Sequence, residues 1–207
     1  MRRWTVALAI LSCFVLPFAF VIGGVIPVDQ RRWWYALAGL LALGVARWTG
    51  ASLRDLGFRG GNARAAVLPY TAFALLGAVV IVVVAVSIGR VPRTSWWLVP
   101  HFRYGILIPV SAAQEFFYRG LLTVLLQRLT ASPSAIIVAN ASLFAFLHTI
   151  FPEPAVVLPL SFLGGFVFTA LWLRLPNLWL ASAAHAVLNF VFVLFCFGSF
   201  ETSCTRV

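Results

Sequence analysis

Five polar residues occupy positions where polar residues are costly. Glu115, Arg119, His148, His185 and Asn189 all lie in long apolar runs in the second half of the chain. An ionisable side chain at mid-bilayer costs at least about 2.5–3.5 kcal/mol on insertion scales, so several in one small protein point to a pathway or a site. Glu115 and Arg119 are four residues apart, which puts them on one helix face within pairing reach. His185 and Asn189 have the same spacing, and so do Phe144 and His148. Three helices would each present one such face, and a single inward cavity could collect them. Two imidazoles, a carboxylate and an amide supply a base, an orienting group and an oxyanion donor, the set that hydrolysis needs. The same residues also suit catalytic zinc, with Glu115, His148 and His185 as ligands and one position open.

The elements that would hold these residues follow from composition. Of 207 residues, 62% are hydrophobic and 10% are charged. A soluble domain averages about 45–50% apolar and about 25% charged. That excludes a water-soluble globule, and it excludes disorder, which requires low hydrophobicity. Apolar runs reach the roughly 20 residues that cross a bilayer. The expected fold is an all-α polytopic transmembrane bundle of about seven spans, one membrane-embedded domain over 1–207. The spans are placed at about 4–26, 33–46, 65–88, 102–126, 134–150, 155–173 and 178–197. The first begins like a signal peptide after Arg2 and Arg3, but it exceeds a typical h-region and lacks a clear small-residue cleavage site, so it is read as a retained span. The glycine-rich stretch 47–64 is expected to be a loop or a short surface helix.

All 15 basic residues are arginines, against 5 acidic residues, for a net charge of +10. They fall singly or in pairs between apolar runs, as in membrane loops, and form no nucleic-acid patch. With the N-terminus inside, the inner side carries Arg2, Arg3, Arg47, Arg54, Arg59, Arg64, Arg128 and Arg174. The outer side carries Arg31, Arg32, Arg90, Arg93, Arg103 and Arg206. The bias favours N-inside by a small margin. The expected setting is a multi-pass protein of the cell membrane, in a bacterial inner membrane, with the lipid bilayer as partner and no nucleic acid.

Three motifs then carry a family resemblance. Gln114-Glu115-Phe116-Phe117-Tyr118-Arg119-Gly120 resembles E-E-x-x-x-R, the first motif of the CAAX protease and bacteriocin-processing (CPBP, or ABI) intramembrane endopeptidases. Phe144 to His148 resembles their F-x-x-x-H motif, and His185 to Asn189 their H-x-x-x-N motif. The resemblance covers roughly residues 100–195. It implies a multi-helix membrane protease. In such proteases the first Glu of the pair and the second-motif His activate water, while the third-motif His and Asn stabilise the oxyanion; an older reading makes these residues zinc ligands. The implied substrate is a membrane-anchored peptide or lipidated, CAAX-like protein tail. No cofactor is required, with zinc as the alternative.

The sequence departs from that pattern at Gln114, where the first Glu would stand. A Gln amide cannot accept a proton as a general base. Glu115 with Arg119 would favour the carboxylate's charged form, which makes a poor base. Three arrangements remain open. Glu115 turns to the cavity and acts with His148; or His148 is the base and Gln114 places the water; or the chain binds a peptide without cutting it. The reading adopted here has Glu115 and His148 activating water, and His185 and Asn189 holding the oxyanion. Arg119 orients Glu115, Gln114 places water or peptide, and Phe144 supports the second motif. The alternative from another class is an immunity or peptide-binding membrane protein, and a third is a small proton-coupled transporter.

Plainer readings stand beside these. Glu115 with Arg119 would serve as a register-fixing ion pair, and His185 with Asn189 as interhelical hydrogen-bonding groups. His101, Trp96, Trp97 and Trp179 read as interfacial, Gly164 and Gly165 as close-packing positions, and Glu153 and Glu201 as exposed. Cys13 and Cys196 read as small buried apolar residues. Cys204-Thr205-Arg206-Val207 is a poor prenylation box, because Arg206 fills an aliphatic slot. Strict alternation of the spans also places His148 and His185 at depths that meet poorly.

Overall fold

The computed structural model describes residues 2–27 and 30–197, with the side chains at 31, 32 and 35 excluded. Glu201, Cys204 and Arg206 lie outside the described residues. The described chain is helical, with no strand. Seven long helical stretches lie within a few residues of the expected spans: α1 (Arg3–Ile22), α2 (Arg31–Thr49), α3 (Ala63–Ser87), α4 (107–129), α5 (Pro133–Ile150), α6 (Pro154–Arg174) and α7 (Leu178–Leu194). Among the described residues, four of these, α1, α3, α5 and α6, are long and apolar enough to cross a membrane. The apolar parts of α2 and α7 are shorter. α4 carries Glu115, Arg119 and Arg128. The expectation of a helical membrane bundle therefore holds, while the count of spans that meet the length criterion is four.

Helix ends follow local chemistry. Ser132 caps α5 by accepting the Ala135 N–H, with Pro133 at the first position. Asn177 caps α7 by accepting the Leu180 N–H at 3.0 Å. These side chains satisfy backbone donors that a helix start leaves open. α4 is interrupted by a π-helical segment, Phe116–Leu122, beginning just after Glu115. Such wide turns are rare and concentrate at functional sites.

α7 packs between α3 and α4, and α5 runs along α6. Three apolar clusters result. One joins α1, α2, α4 and α5 around Phe14, Leu121, Leu125 and Phe144; a second joins α3, α6 and α7 around Tyr70, Phe168 and Trp172; a third joins Ile81 and Ala85 of α3, Val157 of α6, and Phe195 and Phe197 past the end of α7. Lipid tails are as apolar as leucine, so close packing decides association here. Gly165 provides it: a Cβ at this position would sit 3.1 Å from the Ala141 Cα and 3.2 Å from the Phe144 ring. Gly164, expected to share this role, faces open space.

Each end of the bundle is clasped. At the first end, the 50–62 segment is a loop that grips the α6–α7 connection. Asn62 Nδ2 donates to the Pro176 carbonyl at 3.0 Å, Asn177 Nδ2 donates to the Arg59 carbonyl at 2.9 Å, and the Leu178 N–H donates to the Gly57 carbonyl at 2.8 Å. Gly57 has φ +85°, and a Cβ there would lie 2.0 Å from the Trp172 ring, so only glycine fits. At the second end, buried Arg90 pairs with Glu153 at 2.6 Å and donates to the Phe195 carbonyl at 2.7 Å. Glu153 is exposed as expected, yet it is ion-paired. Cys13 is free and buried. Cys196, past the end of α7 with φ +57°, is buried as expected, and it is disulfide-bonded, which the sequence reading did not foresee.

Candidate active site

The three motifs converge between the first two of these clusters. Glu115, the last residue before the π-helical segment, is fully buried. Its Oε1 accepts the Nδ1–H of His185 at 2.7 Å. Its Oε2 lies 3.4 Å from Arg119 Nε. Both oxygens therefore face partners of opposite polarity, one on α7 and one a turn further along α4. Consecutive helix positions point about 100° apart, and Gln114 is accordingly only half-buried, with its Oε1 bonded to no described residue.

Arg119 is also fully buried. Its guanidinium lies 4.5 Å from the Phe144 ring centroid and 5.1 Å from that of Phe168. Nη1 reaches Asn140 Oδ1 at 3.4 Å. Aromatic faces and a carboxylate together replace water around a buried cation. Asn140 is held in turn, with Nδ2 donating to the Tyr118 carbonyl at 2.7 Å and to Thr123 Oγ1 at 3.2 Å.

His148 sits at the end of α5, where the helix tightens into a 3₁₀ turn. Its Nδ1 lies 2.8 Å from the Phe144 carbonyl. A carbonyl oxygen can only accept, so Nδ1 carries the proton, and Nε2 of the neutral ring is left with its lone pair. Phe144 joins the two histidines: its ring centroid is 4.7 Å from that of His148 and 5.7 Å from that of His185. Phe144, one turn before His148 along α5, thus touches the imidazoles of both the second and the third motif.

Asn189, half-buried, donates through Nδ2 to Ser111 Oγ at 3.0 Å. α4 and α7 run antiparallel, so two rungs connect them: Ser111 to Asn189 and, one turn on, Glu115 to His185. The structure thus brings together Glu115, Arg119, Phe144, His185 and Asn189, with His148 beside Phe144. Gln114 joins the group by sequence position but by no hydrogen bond through its Oε1.

Among the described residues, no group of three or more His, Cys, Asp or Glu is placed to hold a metal ion. Motif reading alone missed Ser111, Asn140, Thr123 and Phe168. Ser111 had a signal in its place four residues before Glu115, and Asn140 in being an amide inside an apolar run. Phe168 had none, since one phenylalanine among 19 is not distinctive.

No curated protein and no solved structure matches the chain. The family model described as Type II CAAX prenyl endopeptidase Rce1-like matches residues 94–191. That span contains all three motifs and every residue of the site, and the second half of this chain is thus similar to a CPBP-type membrane protease family, as its motifs imply.

Proposed function

We propose that this chain is an intramembrane endopeptidase that hydrolyses a peptide bond in a membrane-anchored or lipidated, CAAX-like substrate. One observation carries the mechanism: each imidazole of the site has its Nδ1 engaged, His148 on the Phe144 carbonyl and His185 on Glu115, so each offers Nε2 to a reactant. In this reading His148 Nε2 takes a proton from water, and the resulting hydroxide attacks the scissile carbonyl carbon. The oxyanion is met by the second amide N–H of Asn189 and by His185 Nε2–H in the protonated ring. The tetrahedral species collapses as His148 returns its proton to the leaving amine. In this reading Glu115 is a positioning residue rather than the base: its Oε1 holds His185, and its Oε2, which accepts no hydrogen bond, faces the Arg119 guanidinium at 3.4 Å. The arrangement with His148 as base and Gln114 placing water is favoured over the one with Glu115 as base. The reaction so written needs no cofactor.

The test compares His148→Gln with Glu115→Gln in proteoliposomes bearing a fluorogenic, lipid-anchored peptide. The expected result is a loss of about 10²–10⁴ in kcat for His148→Gln and a smaller loss for Glu115→Gln. Equal losses would return the base to Glu115. The reading as a non-cleaving peptide-binding protein has Gln114 in its favour, and it predicts no turnover from the unaltered chain.

A further inference from the structure

Three arginines that the site does not use gather at the end of the bundle clasped by the 50–62 loop. A cavity of about 520 Å³ opens there, lined by Asp55 and Arg59 of the 50–62 loop, Thr123, Gln127 and Arg128 of α4, and Arg174 at the end of α6. Thr123 lies eight residues beyond Glu115 on the same helix; it touches the Asn140 that meets Arg119, while Glu115, His148, His185 and Asn189 do not line the cavity. Exposed Trp48 and Trp179 stand at the same end of the bundle, on the last turn of α2 and the first of α7. Exposed tryptophans at helix ends mark the headgroup level of a membrane.

The wall of the cavity is held in place. Thr123 Oγ1 accepts from Asn140. Arg128 Nη2 donates to the Thr49 carbonyl at 2.6 Å, and Arg59 Nε donates to the Arg54 carbonyl at 2.9 Å. A guanidinium has five N–H donors, so one backbone bond fixes Arg59 and leaves its Nη groups for a ligand. Asp55 offsets one of these charges. Its Oδ2 accepts from both Oγ and N–H of Ser52, at 2.7 and 2.9 Å. The Ser52 hydrogen bonds, with help from Arg59 and Arg54, hold its carboxyl below the usual carboxylate range. Leaving aside Arg128, whose guanidinium has other contacts, Arg59 and Arg174 outnumber Asp55, so the lining is net positive.

We propose that this cavity binds a phosphate group carried by an anionic phospholipid headgroup, with Arg59 and Arg174 as charge-assisted donors. Guanidinium groups match phosphate oxygens bidentately, and basic pockets between membrane helices suit such headgroups. The inference does not rest on the protease reading.

The full chain in neutral detergent tests it, with binding of dihexanoyl phosphatidylglycerol, dihexanoyl phosphatidylcholine and inorganic phosphate read by native mass spectrometry. The expected result is that phosphatidylglycerol binds at least about tenfold more tightly than phosphatidylcholine. Arg174→Gln should weaken it about fivefold, the worth of one arginine near an anionic surface. Gln127→Glu removes no cation and adds a negative charge to the same wall, and it should weaken binding to a similar degree. Displacement of the lipid by excess inorganic phosphate would make free phosphate a sufficient ligand; no displacement would assign the site to the lipid. Equal binding of the two lipids, or phosphatidylglycerol binding unchanged in both variants, would overturn the proposal.

Discussion

Glu115 and His185 are 70 residues apart in sequence and 2.7 Å apart in the fold, with the imidazole Nδ1–H donating to Oε1 of the carboxylate. The same carboxylate faces Arg119 through its other oxygen. The carboxylate thus joins α4 to α7, and it stands beside a buried cation. The following expectations start from that joint.

Removing Glu115 leaves the Arg119 guanidinium without its counter-charge in a fully buried place. Breaking such a pair costs about 3–5 kcal/mol. Glu115→Ala should therefore lower the unfolding temperature of the detergent-solubilised chain well below that of an exposed-site control. The double variant Glu115→Gln with Arg119→Met should recover most of that loss, since no charge is then left unpaired. A double variant as unstable as the single one would show that the pair is not what holds the helices.

Asn189 and Ser111 should separate chemistry from positioning. Losing one oxyanion donor costs roughly 10²–10³ in kcat, and Asn189→Ala should fall in that range on the lipid-anchored peptide. Ser111→Ala removes only the group that fixes the Asn189 amide, so a loss of about tenfold in kcat with unchanged KM is expected. A rise in KM without loss of kcat in either variant would place these residues in substrate binding instead.

Gly165 and Gly57 report on the scaffold. Gly165→Ala puts a methyl 3.1 Å from the Ala141 backbone, and overpacking of this kind costs about 1–3 kcal/mol. Gly57→Ala meets both a left-handed φ and the Trp172 ring, so it should be the more damaging. Thermal unfolding of the two variants side by side gives the order, and a Gly57→Ala protein as stable as the unaltered chain would contradict the described loop.

Gln114 and metal dependence can be read in one assay. If Gln114 places water for His148, Gln114→Glu should alter kcat by less than about tenfold and shift its pH profile. Activity appearing only in Gln114→Glu would identify a chain that binds without cutting. A chelator such as EDTA should leave turnover unchanged in the unaltered chain, and restoration of a chelated sample by zinc alone would return metal chemistry to the site.

The amino-acid sequence determined the membrane class, the approximate places of the seven helical stretches and the three polar faces. These are local properties. Apolar run length reports what a segment can span, and a spacing of four reports what shares a helix face. Glu115 with Arg119 was legible for that reason and stands 3.4 Å apart as spacing predicts. Which neighbour each face meets was decided only by tertiary structure. A single carboxylate has two oxygens, and nothing in the order of residues says whether the second points to water or to His185. That depends on α7 packing between α3 and α4, and on the antiparallel course that sets Ser111 opposite Asn189. The loop clasp on Asn177 and the Arg90 link to Glu153 likewise join residues more than 60 positions apart. Contacts of that separation follow from how close the helices approach, which small residues such as Gly165 permit and hydropathy does not encode.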